Sequence, residues 1–289
     1  MKLGVLFNCQ HRMLAETLRL TIPGAEVTDY DIGQLRQDEA LRGPALEDLA
    51  SCDRVLSLYL GAEDGPLGSE AMRETMRGFT ILPGFSFGGF HPDTVYIHTA
   101  HGYLDGFTHH YHSRLAVAGF LAGRTVRETT QLYNALIMGR AGYFSAFAQE
   151  RMLVCQVFDQ FGIDLNPMFD RWAGGGCFMH SINHPKAWCY VDVAVALARH
   201  AGLIGPETTL DPHLVSDELR FHPTHPVLPP LARRLGVPAE ARFKPSRPHE
   251  HHAVPLERFV ELEFERFGHA ERHELEGTPG VGSLLAVLQ

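Results

Sequence analysis

The pattern of apolar and polar positions opens with a run of consecutive apolar residues, 3–7 (LGVLF), too short for a helix and continuous enough for a strand buried on both faces. Met13, Leu14 and Leu18 then recur at helical spacing up to Pro23-Gly24. Residues 25–32 (AEVTDYDI) alternate like a strand, residues 44–50 read as a short helix, and residues 54–60 (RVLSLYL) read as a third strand. Strand, helix, strand, helix, strand is the order of a parallel sheet with covering helices, and an α/β fold built on a short parallel sheet is predicted.

Beyond residue 60 the texture becomes helix-rich. Residues 80–90 (TILPGFSFGGF) begin as a strand and dissolve into a loop near Gly84, and residues 94–98 (TVYIH) suggest one more strand. The span 113–161 carries helical stripes, broken near Gly123 and Gly139, and residues 188–201 (WCYVDVAVALARHA) read as a buried helix closed by Gly202. Prolines crowd the chain after Gly205, leaving short helices at 231–235 and 256–267. The organisation expected is an α/β catalytic domain over 1–204 and a proline-rich extension over 205–289 packed on it, with residues 245–255 as an exposed loop.

Composition narrows the function classes. A formal charge of -9 argues against non-specific nucleic-acid binding, so an anionic ligand needs a local cluster of donors. Five widely spaced cysteines without a Cys-x-x-Cys pair fit reduced thiols. With no apolar run long enough to span a membrane and no signal-peptide pattern, a cytoplasmic protein is expected; the oligomeric state is not readable. Of the 18 histidines, eight cluster at 98–112 and 249–252, but no HExxH or Cys/His zinc spacing accompanies them, so no metal is expected.

Three stretches carry candidate chemistry. Asn8-Cys9-Gln10 sits where the first strand meets the first helix, so the helix N-terminus would favour a thiolate and stabilise an oxyanion. The alternative is a structural buried thiol. His184, held extended before Pro185 in SINHP, is a candidate general base or a turn histidine bonded to backbone. His91 and Asp93 flank Pro92 in FHPD, suited to orienting a base or a substrate hydroxyl, or to capping a turn. Two rivals are weaker. Gly84-Phe85-Ser86-Phe87-Gly88 matches G-x-S-x-G, yet the glycines and proline that follow forbid the helix this motif needs. Cys177 lies near His180, but no strand aims it.

The ordered set of Asn8-Cys9-Gln10, Phe90-His91-Pro92-Asp93 and Ser181-Ile182-Asn183-His184-Pro185 resembles the WcbI-like family of polysaccharide biosynthesis proteins, acetyltransferases linked to bacterial capsules, over roughly residues 3–235. The resemblance implies a fold like that of SGNH hydrolases, coenzyme A bound in a cleft, and Cys9 in the place of the hydrolase serine. The chain departs from the SGNH pattern at Ser181, where an Asp would precede the catalytic histidine by three residues. A thiol ionises far more readily than a hydroxyl, so a Cys–His dyad is chemically sufficient, with Asp93 the candidate third member.

The expected activity is O-acetyl transfer from acetyl-CoA to a sugar or polysaccharide precursor. Cys9 and His184 would be catalytic, and Asn8, Gln10, His91 and Asn183 would bind substrate or oxyanion. Arg12, Arg114 and Lys186 are the cations near the motifs that would meet coenzyme A phosphates. A thioesterase or carbohydrate esterase, a non-catalytic coenzyme A or glycan-binding protein, and a histidine-ligated metalloenzyme are the alternatives.

Overall fold

The computed structural model describes residues 1–239, 242–245 and 252–289. The chain divides into two compact units of interleaved segments: Met1–Ser86, Leu153–Trp172 and His184–Leu219 form the first, and Phe87–Met152, Ala173–Asn183 and Arg220–Gln289 the second. Residue 204, the expected boundary, lies within the last segment of the first unit, and the residues after it contribute to both units.

The first unit is built on four parallel strands in the order β2-β1-β3-β4, with β1 at Lys2–Phe7, β2 at Glu26–Asp31, β3 at Arg54–Ser57 and β4 at Phe79–Ile81. Central β1 is buried from Leu3 to Phe7, as its uninterrupted apolar run requires. Helices α1 (His11–Thr21), α2 (Ile32–Gln37), α3 (Glu39–Ala50) and α4 (Ser69–Thr75) follow the strands. Helix α1 buries Met13, Leu14 and Leu18 and packs on β1, β2 and the helix Ala187–His200. Leu6, Leu35, Leu49, Val55 and Met72 form a core cluster. Gly4 makes this packing possible, since a Cβ there would stand 2.5 Å from Leu49 Cδ2.

Helix α3 starts at Glu39, before the expected residue 44, because Asp38 caps it by accepting from the Ala40 N–H, and Pro44 is accommodated inside. The mixed α/β class and the parallel sheet agree with the sequence reading.

The second unit is mainly helical. It contains α5 (Arg114–Leu121) and, among others, helices Ala135–Arg140, Leu256–Phe267, Arg272–Glu276 and Val281–Leu288. Ile97, Val117, Leu121, Phe267, Leu275 and Val281 pack together there. The single strand expected at 94–98 is two short ones: Thr94–Val95 pairs with His112–Ser113, and His98–Thr99 with Gly102–Tyr103. His249, His251 and most of the loop expected at 245–255 lie outside the described residues. Among the described residues, no helix is long and apolar enough to cross a membrane, and Cys9, Cys52, Cys155, Cys177 and Cys189 are all unbridged.

Candidate active site

Strand β1 ends at Phe7, and Asn8, Cys9 and Gln10 make the turn into α1. Asn8 shapes it twice: its carbonyl accepts the His11 N–H at 2.8 Å and its side-chain oxygen accepts the Gln10 N–H at 3.1 Å. The Asn8 amide NH2 group donates to none of the described residues. Gln10 is fully buried and donates through Nε2 to the Phe85 carbonyl at 2.6 Å, so its amide ties the turn to the loop after β4. Cys9 is half-buried at the carboxyl end of the central strand, where open α/β sheets present their reactive groups.

The expectation of a thiol acidified by the helix N-terminus is corrected by the surroundings of Cys9. Burial pushes its pKa up to about 12, and the nearby Asp31 carboxylate adds to the rise. The thiol therefore rests protonated at neutral pH, and a nucleophilic Cys9 needs a base to take its proton.

Two histidines of the same unit are candidates. His184 is buried and lies in the short strand His184–Pro185, directly before Lys186, the N-cap of helix Ala187–His200. His11, two residues after Cys9, is oriented by a carboxylate: Nδ1 stands 2.8 Å from Asp29 Oδ2, and Nε2 stands 3.9 Å from Asp31 Oδ2. Asp29 also pairs with Arg19 at 2.7 Å, and these contacts hold its carboxyl below the usual range despite the opposing cost of burial. The pair escapes sequence spacing because it depends on sheet register. Val5 aligns with Asp29 and Phe7 with Asp31, so both carboxylates share one face of β2. The signal that was present is Asp-x-Asp at a strand end with a histidine opening the preceding helix.

Tyr190, on helix Ala187–His200, was also missed. It is fully buried, its hydroxyl has no hydrogen-bond partner among the described residues, and its ionisation is opposed by burial and then by Cys9 and Cys189. A buried hydroxyl left without a partner costs about 1–3 kcal/mol, so this phenol is a donor in reserve within the electrostatic reach of Cys9. Arg12, exposed in the first turn of α1, and Lys186, half-buried, belong to the same unit.

The remaining candidates lie in the second unit. Asp93 is buried, and its hydrogen bonds go to the Ser113 hydroxyl, the Leu115 N–H at 3.0 Å and the Tyr143 hydroxyl at 2.8 Å. Its own carbonyl accepts the Arg114 N–H at 2.8 Å. It clamps the start of α5, and none of these partners is a histidine. Burial nevertheless pushes its carboxyl up. Arg114 is the balancing charge, its side chain lying against Gly280. His91 is buried beside a cavity of about 10 Å³ bordered by Phe90, His225 and Phe243, room for one water at most. The Asn183 side chain accepts from Tyr111 at 2.6 Å and donates to Tyr96 at 3.3 Å. Ser86 sits in an irregular segment with no helix after it, and Cys177 donates to the Met179 carbonyl at 3.2 Å.

Comparison with known proteins adds two findings. The family model for the polysaccharide biosynthesis enzyme WcbI matches residues 2–206. A solved structure is similar over 99% of this chain and 98% of its own, with a TM-score of 0.69 and 13% identity. It is described as WcbI, a polysaccharide biosynthesis enzyme, in a native form without a disulfide bond between coenzyme A and one of its cysteines. No curated protein sequence matches.

Proposed function

Because this chain belongs to the WcbI polysaccharide biosynthesis enzyme family, we propose that it is a coenzyme A-dependent O-acetyltransferase acting on a sugar or polysaccharide precursor, with Cys9 as nucleophile and His184 as base. The observation that carries this reading is the Cys9 turn. The thiol ends the central strand directly after Asn8, and the same unit holds the buried Tyr190 hydroxyl, which has no hydrogen-bond partner among the described residues. Such groups are what a bound carbonyl requires. The coenzyme A named with the similar structure supports the donor, and Arg12 and Lys186 are cations suited to its phosphates.

In this reading His184 takes the Cys9 proton as Sγ attacks the acetyl thioester carbonyl. Asn8 Nδ2 and Tyr190 Oη donate to the oxygen as it becomes negative. The carbon–sulfur bond to coenzyme A breaks, and the imidazolium returns the proton to the departing thiolate, leaving acetyl-Cys9. His184 then takes the proton of the acceptor hydroxyl as that oxygen attacks acetyl-Cys9, and returns it to Sγ, so the cycle closes without metal or ATP. With its pKa raised by burial, the thiol becomes nucleophilic when the base takes its proton.

The same raised pKa favours a second reading, a coenzyme A-binding protein in which Cys9 is merely packed. The two are separated by measuring acetyl-CoA turnover with and without a panel of sugar acceptors, alongside the shift in melting temperature. Ligand at 100 times its Kd adds about 2.7 kcal/mol. Stabilisation with acceptor-dependent turnover supports the transferase. Turnover to water alone identifies a thioesterase, stabilisation without turnover a binding protein, and neither effect overturns the coenzyme A reading.

A further inference from the structure

The histidine-rich stretch at 98–112 is not absorbed by the acyl-transfer reading, and the structure sorts its members. His112 is fully buried, with Nδ1 3.1 Å from the Glu263 carboxylate and Nε2 3.0 Å from the Leu104 carbonyl, a structural pair in the unit's interior. His109 and His110 are different. The backbone from Gly106 to His109 closes on itself with two hydrogen bonds, His109 N–H to the Gly106 carbonyl at 3.0 Å and Gly106 N–H to the His109 carbonyl at 2.8 Å. This turn holds His109 at φ 57°, the one positive φ at a non-glycine residue among the described residues, a conformation that costs about 1 kcal/mol or more. Thr108 anchors the turn from below, donating to the Tyr111 carbonyl at 2.6 Å and standing 3.1 Å from His225.

The strain has a geometric result. His109 Nδ1 meets Asp105 Oδ1 at 2.7 Å, and the rings of His109 and His110 stack at 3.7 Å, with Tyr103 next to His110 at 5.3 Å. One ligand atom each from Asp105, His109 and His110 lie within 4.8 Å of one another. We propose that Asp105, His109 and His110 bind a divalent transition-metal ion of the zinc class. Donors around one tetrahedral zinc stand roughly 3.3 Å apart, so small side-chain rotations close the set, and the fourth position falls to water. Two imidazoles and a single carboxylate suit zinc, cobalt or nickel, whereas calcium and magnesium ask for more oxygen. Asp105 and His109 are exposed, giving the ion a path in from solvent.

The test is independent of acyl transfer. The full-length chain, stripped with chelator, is titrated with Zn²⁺ by calorimetry and with Co²⁺ by visible absorption. One tight equivalent is expected, with the intense absorption of a four-coordinate cobalt site. Asp105→Asn and His110→Ala should each weaken it by about tenfold or more. His109→Gly removes a ligand but relieves the φ strain, so it should lose the site while the metal-free protein melts no lower than the parent. His213→Ala, which removes an exposed histidine of the first unit, should bind as the parent does. Absence of saturable binding, or a site that survives in all three variants, would overturn the proposal.

Discussion

Two polar turns open helices in this chain, and they are finished differently. At the start of α5, Asp93 is surrounded by Ser113, the Leu115 N–H and Tyr143, and Ser113 in turn meets Tyr133, so the buried polar atoms answer one another. In the first unit, by contrast, the buried Tyr190 hydroxyl has no hydrogen-bond partner among the described residues, and burial keeps Cys9 a neutral thiol at the start of α1. Satisfied networks hold a fold together, whereas unused donors beside a nucleophile await a ligand. On the proposed function, the contrast gives Asp93 a stabilising role and leaves the chemistry to Cys9.

The largest expected effect is at Cys9. Cys9→Ala should lower acetyl transfer by at least about 10³-fold yet change unfolding free energy by less than about 1 kcal/mol. His184→Ala should cost about as much, and the double variant little more, because partners in one step are strongly non-additive. His11→Ala, which removes the Asp29-oriented histidine, should retain most activity; the reverse ranking would move the base from His184 to His11. Asp93→Ala should do the opposite of Cys9→Ala. It strands Ser113, Tyr143 and the Leu115 N–H, so denaturant melts should show a loss of about 3 kcal/mol or more. The surviving folded fraction should retain normal KM and kcat. Tyr190→Phe is the sharpest probe of the unused donor: about 10²-fold slower transfer with unchanged or slightly raised stability, since the hydroxyl satisfies nothing in the free protein. If Tyr190→Phe instead destabilises and leaves kcat unchanged, the donor is structural.

The smallest effect is a difference in pH response between the units. Lys2, Thr28 and Tyr30 hold the Asp48 carboxyl down at about 2 in the first unit, so this stabilisation is present above pH 4 and is lost as pH falls toward 2. In the second unit, burial opposes the charged form of His112, but Glu263 outweighs it and the pKa is raised. That contribution is complete below about pH 6.5 and is lost as pH rises through the folded value. Asp93, also raised, drifts the same way as pH climbs above about 4. Hydrogen exchange read peptide by peptide should show protection at Met1–Ser86 falling on acidification and at Phe87–Met152 falling on alkalisation.

The sheet was legible because it is written in local patterns: β1 is one buried apolar run, and Leu256–Phe267 shows its stripe of Phe259, Val260 and Phe267 without interruption. The Cys9 turn was legible for the same reason, as the point where one period gives way to another. What escaped depends on contacts distant in sequence. His11 meets Asp29 only through the β1–β2 register, and Asp93 meets Ser113 and Tyr143 across 20 and 50 residues. The helices Arg272–Glu276 and Val281–Leu288 were masked by the polar, proline-rich texture before them, and the interleaving of the two units has no local signature.

If Cys9 carries the acyl group in the reaction, the acetyl-enzyme can be trapped. The protein is mixed with acetyl-CoA, quenched in acid within milliseconds to seconds, digested and read by mass spectrometry. An acetyl group is expected on the peptide containing Cys9, formed as fast as turnover, discharged by acceptor and absent in Cys9→Ala. Turnover that proceeds in Cys9→Ala, or an acetyl-free Cys9 throughout steady-state turnover with discharge shown to be rate-limiting, would contradict it.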